Sequence, residues 1–133
     1  MCVRLGRQDR DDVPDRVGRL GKCRALAVVE VDLEDPLDPV RVAGDTHKLA
    51  FENTFVRVLD VHLPPGKVEP RHRHPHGMSV YFSDWDAKVQ ADGAAAEVRH
   101  RQGGTFAWNE AVIHTVQNVG KTEGHILRIE LKF

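Results

Sequence analysis

From residue 25 onward the chain shows no apolar stripe at helical spacing. It runs instead in short alternating segments cut by glycine, proline and polar turn formers. The segments are "FVRVLDVHL" (55–63), "SVYFS" (79–83), "AKVQA" (87–91), "AAEVRH" (95–100), "TFAW" (105–108), "AVIHTVQN" (111–118) and "GHILRIELKF" (124–133). Between them stand "PPGKVEP", "ADG", "RQGG" and "NVGKTEG", each carrying the residues a tight turn needs. Short strands like these are not stable alone, so they must pair into an all-β sandwich or small barrel that protects its edges. Pro36 and Pro39 disfavour a long helix through the stretch that contains them, and only "DTHKLAFEN" (45–53) has room for a turn or two of helix.

Side-chain parity assigns the faces. In 55–63, Phe55, Leu59, Val61 and Leu63 share a face with Arg57 as the exception, while Val56 and Val58 make the other face partly apolar. In the last run Leu127, Ile129 and Leu131 are expected to face the core, with Arg128, Glu130 and Lys132 in water.

A length of 133 residues suits one domain, and 41% hydrophobic residues with a net charge of -1 suit an ordinary globular protein. Charge is uneven, since residues 1–24 carry seven Arg or Lys against four Asp. We expect a poorly ordered basic tail over 1–24 and a single β-barrel domain over 25–133. The tail holds no aromatic residue and interleaves acids with bases, which argues against a nucleic-acid partner. The longest apolar run, "ALAVV" (25–29), is too short to span a bilayer, and the charged start does not read as a secretory signal. Cys2 and Cys23 form no Cys-x-x-Cys pair, so a disulfide framework is not indicated and a cytoplasmic location is expected.

The chemistry concentrates in "EPRHRHPHGMSVYF" (69–82). His72 and His74 alternate along a strand, so both rings leave one face about 6–7 Å apart along the backbone and can converge on one ion. Two imidazoles make a weak site, and the candidate third ligand is His114, which shares a parity with Val112, Val116 and Asn118. A satisfied core histidine is the alternative for His114.

At these residues the sequence resembles the cupin superfamily. Gly66, five residues, then His72 and His74 match the front of its first motif; Gly103, His114 and Asn118 match the spacing of its second. Asn109 and Ala111 stand where proline and glycine are usual, and Met78, or Ser79 with one more residue allowed, stands where a metal-binding glutamate is usual. The resemblance implies a double-stranded β-helix, the cupin jelly roll, with a metal held by His72, His74 and His114. Loss of the carboxylate favours zinc, nickel, iron or copper over harder ions.

Around that centre His76 is read as a fourth donor or a ring at the pocket mouth, and Met78 as a soft donor for copper or a core filler. Val80, Phe82, Phe106 and Trp108 are read as pocket wall or packing, and His125 as bordering the pocket through the parity of Leu127. His47, His62 and His100 read as surface residues, Tyr81 as facing away, and Trp85 as a turn residue touching a second copy. The resemblance leaves three functions open: a small metal-binding protein that takes a small organic ligand, a non-enzymatic or metal-free binding scaffold, and a dioxygenase or isomerase. Homodimers are expected from exposed sheet edges and the apolar Val56 and Val58.

Overall fold

The structure is a computed structural model that describes residues 35–133. The tail expected over 1–24, both cysteines and the run at 25–29 lie outside the described residues. Leu37–Phe133 forms one compact unit. It opens with a four-residue helix, α1 (Pro39–Val42), where Pro39 occupies the first turn and its missing N–H costs no hydrogen bond.

Nine strands follow: β1 (His47–Glu52), β2 (Val56–Leu63), β3 (Val68–His74), β4 (Gly77–Tyr81), β5 (Trp85–Ala91), β6 (Glu97–Arg101), β7 (Thr105–Asn109), β8 (Val112–Asn118) and β9 (Gly124–Leu131). They form a five-stranded sheet in the order β1-β2-β9-β4-β7 and a four-stranded sheet in the order β3-β8-β5-β6. Every pairing is antiparallel. The 45–53 stretch is therefore a strand and not a turn of helix. Its backbone pairs with β2 from His47 opposite Val61 to Glu52 opposite Arg57, and that ladder outweighs the weak helical preference of a short segment. Among the described residues no helix is long and apolar enough to cross a membrane.

The turn residues act as their chemistry requires. At "PPGK" the Lys67 N–H donates to the Pro64 carbonyl at 3.1 Å, and Gly66 takes a φ of +82° that any side chain would strain. This reversal delivers β3, with its histidines, onto β8.

Between the sheets the apolar core is small: Leu59, Val61 and Leu63 from β2, Tyr81, Trp85, Ala87 and Val89, Val116 and Ile126. Trp85 belongs to it, at 5% exposure, and is not an outward turn residue. Its indole fits because position 124 is glycine, where a Cβ would stand 2.6 Å from the ring.

The last strand reverses the expected parity. Ile126, Arg128 and Glu130 are buried, while Leu127, Ile129 and Leu131 are half-buried on the outer face. Their neighbours across the sheet explain this outward placement. Ile129 pairs with Val58 on one side and Met78 on the other, and Leu127 pairs with Val80, so apolar residues meet in rows outside the barrel.

The inward arginine of β2 is matched by acids. The Arg57 Nη2 donates to Asp38 Oδ1 at 2.6 Å and to Glu130 Oε2 at 3.2 Å, and all three side chains are more than nine-tenths buried. Burial alone would lower the guanidinium pKa, but the Asp38 hydrogen bond and the Glu130 charge raise it, so the cation persists. Removing it strands two buried carboxylates. Arg57→Ala is expected to lose about 3–5 kcal/mol of unfolding free energy in urea titration, against less than ~1 kcal/mol for the exposed Lys48→Ala; equal losses would remove the buried network from the account.

Candidate metal centre

One structural irregularity builds the site. Along β3, Glu69 pairs with Val116 and His72 with His114, so three steps on β3 match two on β8. The extra residue is a β-bulge at Pro70–Arg71, a position that suits proline because its missing N–H leaves no ladder bond unmade. The bulge shifts the alternation by one, and Glu69, His72 and His74 all turn inward, at 3%, 0% and 4% exposure.

The structure brings His72 and His74 together as the spacing implies. Their ring centroids are 4.9 Å apart. A third buried ring joins them, and it is His47 of β1, which the sequence reading placed on the surface. His47 lies 5.0 Å from His72 and 5.4 Å from His74, centroid to centroid, and the three residues can each offer a ligand atom within 4.8 Å of the others. His114 is also brought in, with its ring 4.8 Å from His72 and 5.6 Å from His74, but it falls outside that tightest trio. The signal that would have found His47 is tertiary: α1 and the pairing of β1 with β2 fold it inward, and nothing in its local spacing says so.

Hydrogen bonds set the tautomers. The His72 Nδ1–H donates to the Pro70 carbonyl at 2.7 Å, which leaves Nε2 as the lone-pair nitrogen. Among the described residues that Nε2 is buried with no hydrogen-bond partner, and so is His74 Nδ1, 3.7 Å from Glu130 Oε2. On the His47 side, Nδ1 lies 3.0 Å from Thr46 Oγ1, whose hydroxyl donates to Glu69 Oε2 at 2.7 Å. Orphaned buried nitrogens are costly, and a cation among them supplies what the protein does not. The donor set is nitrogen, backed by the Glu69 carboxylate that orients His47 through Thr46, and it fits a transition ion.

The cluster opens on a cavity of about 350 Å³ between the two sheets. Several expected lining residues are elsewhere. Met78, Val80, Phe82, Phe106 and His125 lie on the outer parity of their strands and do not line it; Ser79 and Tyr81 do. The expectation for Tyr81 is thus reversed: its side chain is 6% exposed and faces the cavity. Of the two positions offered for the absent glutamate, Ser79 is the inward one, and its hydroxyl donates to Asn109 Oδ1 at 2.7 Å. His76 stays outside the cluster, with Nε2 2.8 Å from the Phe133 carbonyl and its ring 5.7 Å from Trp108, which stands at the rim. Asn118 is fully buried but braces a loop, its Nδ2 donating to the Leu63 and Thr122 carbonyls. His125 stacks on His62 at 4.0 Å on the outside and reaches Asp60 Oδ1 at 2.9 Å.

Two solved structures share this architecture. A cupin domain from Bordetella pertussis Tohama I is 24% identical over 65% of this chain and 92% of its own, with a TM-score of 0.61. An RmlC-like cupin family protein with a double-stranded β-helix fold from Methanocaldococcus jannaschii is 11% identical over 64% of this chain and 77% of its own, with a TM-score of 0.54. The chain has the cupin fold. No protein-family model matches the sequence, and no curated protein matches it.

Within this cupin barrel burial holds the imidazoles neutral. Desolvation, then the neighbouring His72, lowers His47 and His114 to about 3; desolvation also lowers His72 and drives His74 well down. Neutral rings keep their lone pairs available at pH 7. Burial raises Glu69 to about 7 against the opposing Thr46 hydrogen bond, and raises Glu130 to about 7 against Arg57.

These shifts fix how stability of the metal-free chain depends on pH. The unfolded histidines take up protons near pH 6.5 and the buried ones only at lower pH, so four groups withdraw stability as pH falls. Glu69 and Glu130 act in the opposite sense, but only between their model value of 4.5 and about 7. The expected urea midpoint in chelator therefore drops gently from pH 6.5 to 4.5 and more steeply below it. A midpoint that holds or rises toward pH 4 would contradict buried neutral imidazoles.

Proposed function

We propose that this protein binds a divalent transition metal through His47, His72 and His74, with His114 as an adjoining fourth nitrogen, and uses the centre to hold a small organic molecule in the barrel. The observation that carries this reading is the pair of orphaned nitrogens, His72 Nε2 and His74 Nδ1, within a cluster of neutral rings. Zinc, nickel, iron and copper suit an imidazole set; magnesium, calcium and manganese prefer oxygen. When bound, such an ion supplies Lewis acidity toward a ligand oxygen or a bound water. The chain's own groups do the positioning. The Pro70 carbonyl fixes the His72 ring, and Thr46 with Glu69 holds His47 Nδ1. Ser79, Tyr81 and the small Ala87 and Ala91 shape the remaining wall.

We further propose a homodimer through the outer face of the five-stranded sheet. Support comes from an apolar row that crosses all five strands in register: Phe51, Val58, Ile129, Met78 and Trp108. Phe51 and Trp108 are 53% and 52% exposed, and contiguous apolar surface of this kind is characteristic of interfaces.

Metal analysis of purified protein tests the centre. About one equivalent of a transition ion is expected, with affinity lowered tenfold or more in His72→Ala and in His47→Ala. Undiminished metal in His47→Ala would remove β1 from the site, and undiminished metal in His72→Ala would remove the site. Light scattering tests the assembly: a dimer at micromolar concentration is expected, shifted toward monomer by Ile129→Lys, and a monomeric wild type would end that proposal.

A further inference from the structure

The cavity wall carries cations in addition to the neutral imidazoles. Three guanidinium groups line it, Arg99 and Arg101 from β6 and Arg128 from β9, so the cations come from both sheets and face one space. Arg128 is the decisive one. It is 6% exposed, its Nη2 donates to the Pro75 carbonyl at 2.8 Å, and its Nε is buried with no partner among the described residues. It forms no ion pair among the described residues, because the nearest acid on its own strand, Glu130, is engaged by Arg57. Burial lowers its pKa, and the nearby Glu130 carboxylate only partly opposes that. Arg101 sits with its guanidinium carbon 5.1 Å from the centre of the Tyr81 ring, and Tyr81 pairs with Ile126, two residues before Arg128 on the same inward face. Arg99 is neutralised by Glu97.

The acids lining this space, Glu69 and Glu110, have partners of their own. Glu69 is held by Thr46 and His47, and Glu110 accepts the Trp108 Nε1–H at 2.7 Å at the rim. A buried guanidinium with an unpartnered N–H is costly, and a planar fork is the geometry that grips a carboxylate.

We propose that the ligand of this cavity is a small organic dianion, one carboxylate held by Arg128 and Arg101 and the second oxygen group directed at the histidine cluster. This deepens the metal-centre reading and rests on it for the second contact only. The volume of about 350 Å³ lies at the low end of ligand sites, which restricts the ligand to a compact acid.

Titration calorimetry with oxalate, malonate and succinate tests this on the full chain, zinc-loaded and in chelator, with the uncharged malonamide as control. At least one dianion is expected to bind the zinc-loaded protein tenfold or more tightly than malonamide, and Arg128→Gln and Arg101→Gln are each expected to weaken it tenfold or more. Arg101 is half-exposed, so its variant reports on binding even if Arg128→Gln fails to fold. Dianions that bind no better than malonamide, or full affinity in Arg101→Gln, overturn the proposal. The two readings fail separately. Dianion binding in a protein that takes up none of zinc, nickel, iron and copper removes the metal centre and leaves the arginine contact standing; zinc uptake without dianion binding removes the anion pocket alone.

Discussion

Without the extra residue in β3, Glu69 would face away from the barrel while His72 and His74 faced in, because side chains alternate strictly along an unbroken strand. The bulge puts all three on one face within six residues. It also frees the Pro70 carbonyl to accept from His72, so the same irregularity aims a ring and fixes its tautomer. A carboxylate standing behind a ring nitrogen is the arrangement that strengthens an imidazole as a donor, and here it reaches His47 through the Thr46 hydroxyl. The site thus depends on one local backbone feature more than on any single ligand.

A polar interior imposes its own accounting. Inward positions that an ordinary sandwich fills with leucine are here taken by His47, Glu69, His72, His74, Arg57, Arg128 and Glu130. The structure answers this in two ways. Groups that stay charged are paired, as Arg57 is with Asp38 and Glu130; groups that stay unpaired are made neutral, as the imidazoles are by burial. Arg128 satisfies neither rule completely, which is why its free Nε carries weight. Apolar packing is left to one cluster, with Leu59 and Leu63 fully buried at its centre.

This division explains what the sequence made legible. The strands and their turns were readable because pleat alternation and turn residues such as Pro64, Pro65 and Gly66 are local signals. His72 and His74 were readable as a pair for the same reason, and the inward parity of Val112, His114 and Val116 held. The parity of β9 was misread because the rule assumes that apolar residues face in. In a barrel with a polar cavity, Leu127, Ile129 and Leu131 cover the outside while Arg128 and Glu130 serve the inside. The same assumption misplaced Val80 and Phe82 relative to Ser79 and Tyr81 on β4. Glu69 was hidden by the bulge, and His47 by a tertiary pairing that no spacing encodes.

The inversion on β9 and β4 links the interior to the surface. Each strand has two faces, and committing one to charge and imidazole leaves the apolar residues of that strand for the other. Val58, Ile129 and Met78 lie side by side across three adjacent strands, so this row of the outer face is apolar where the inward neighbours Arg57, Arg128 and Glu130 are charged. A chain of this kind gives up part of its core to make a site and leaves apolar area where only a neighbour can cover it. Burial at the proposed dimer face would then supply stability that the cavity withholds. The two features are coupled through strand parity: a substitution that returned a leucine to the inward face of β9 would favour the core at the expense of Arg128 or Glu130, and so of the charge that shapes the cavity.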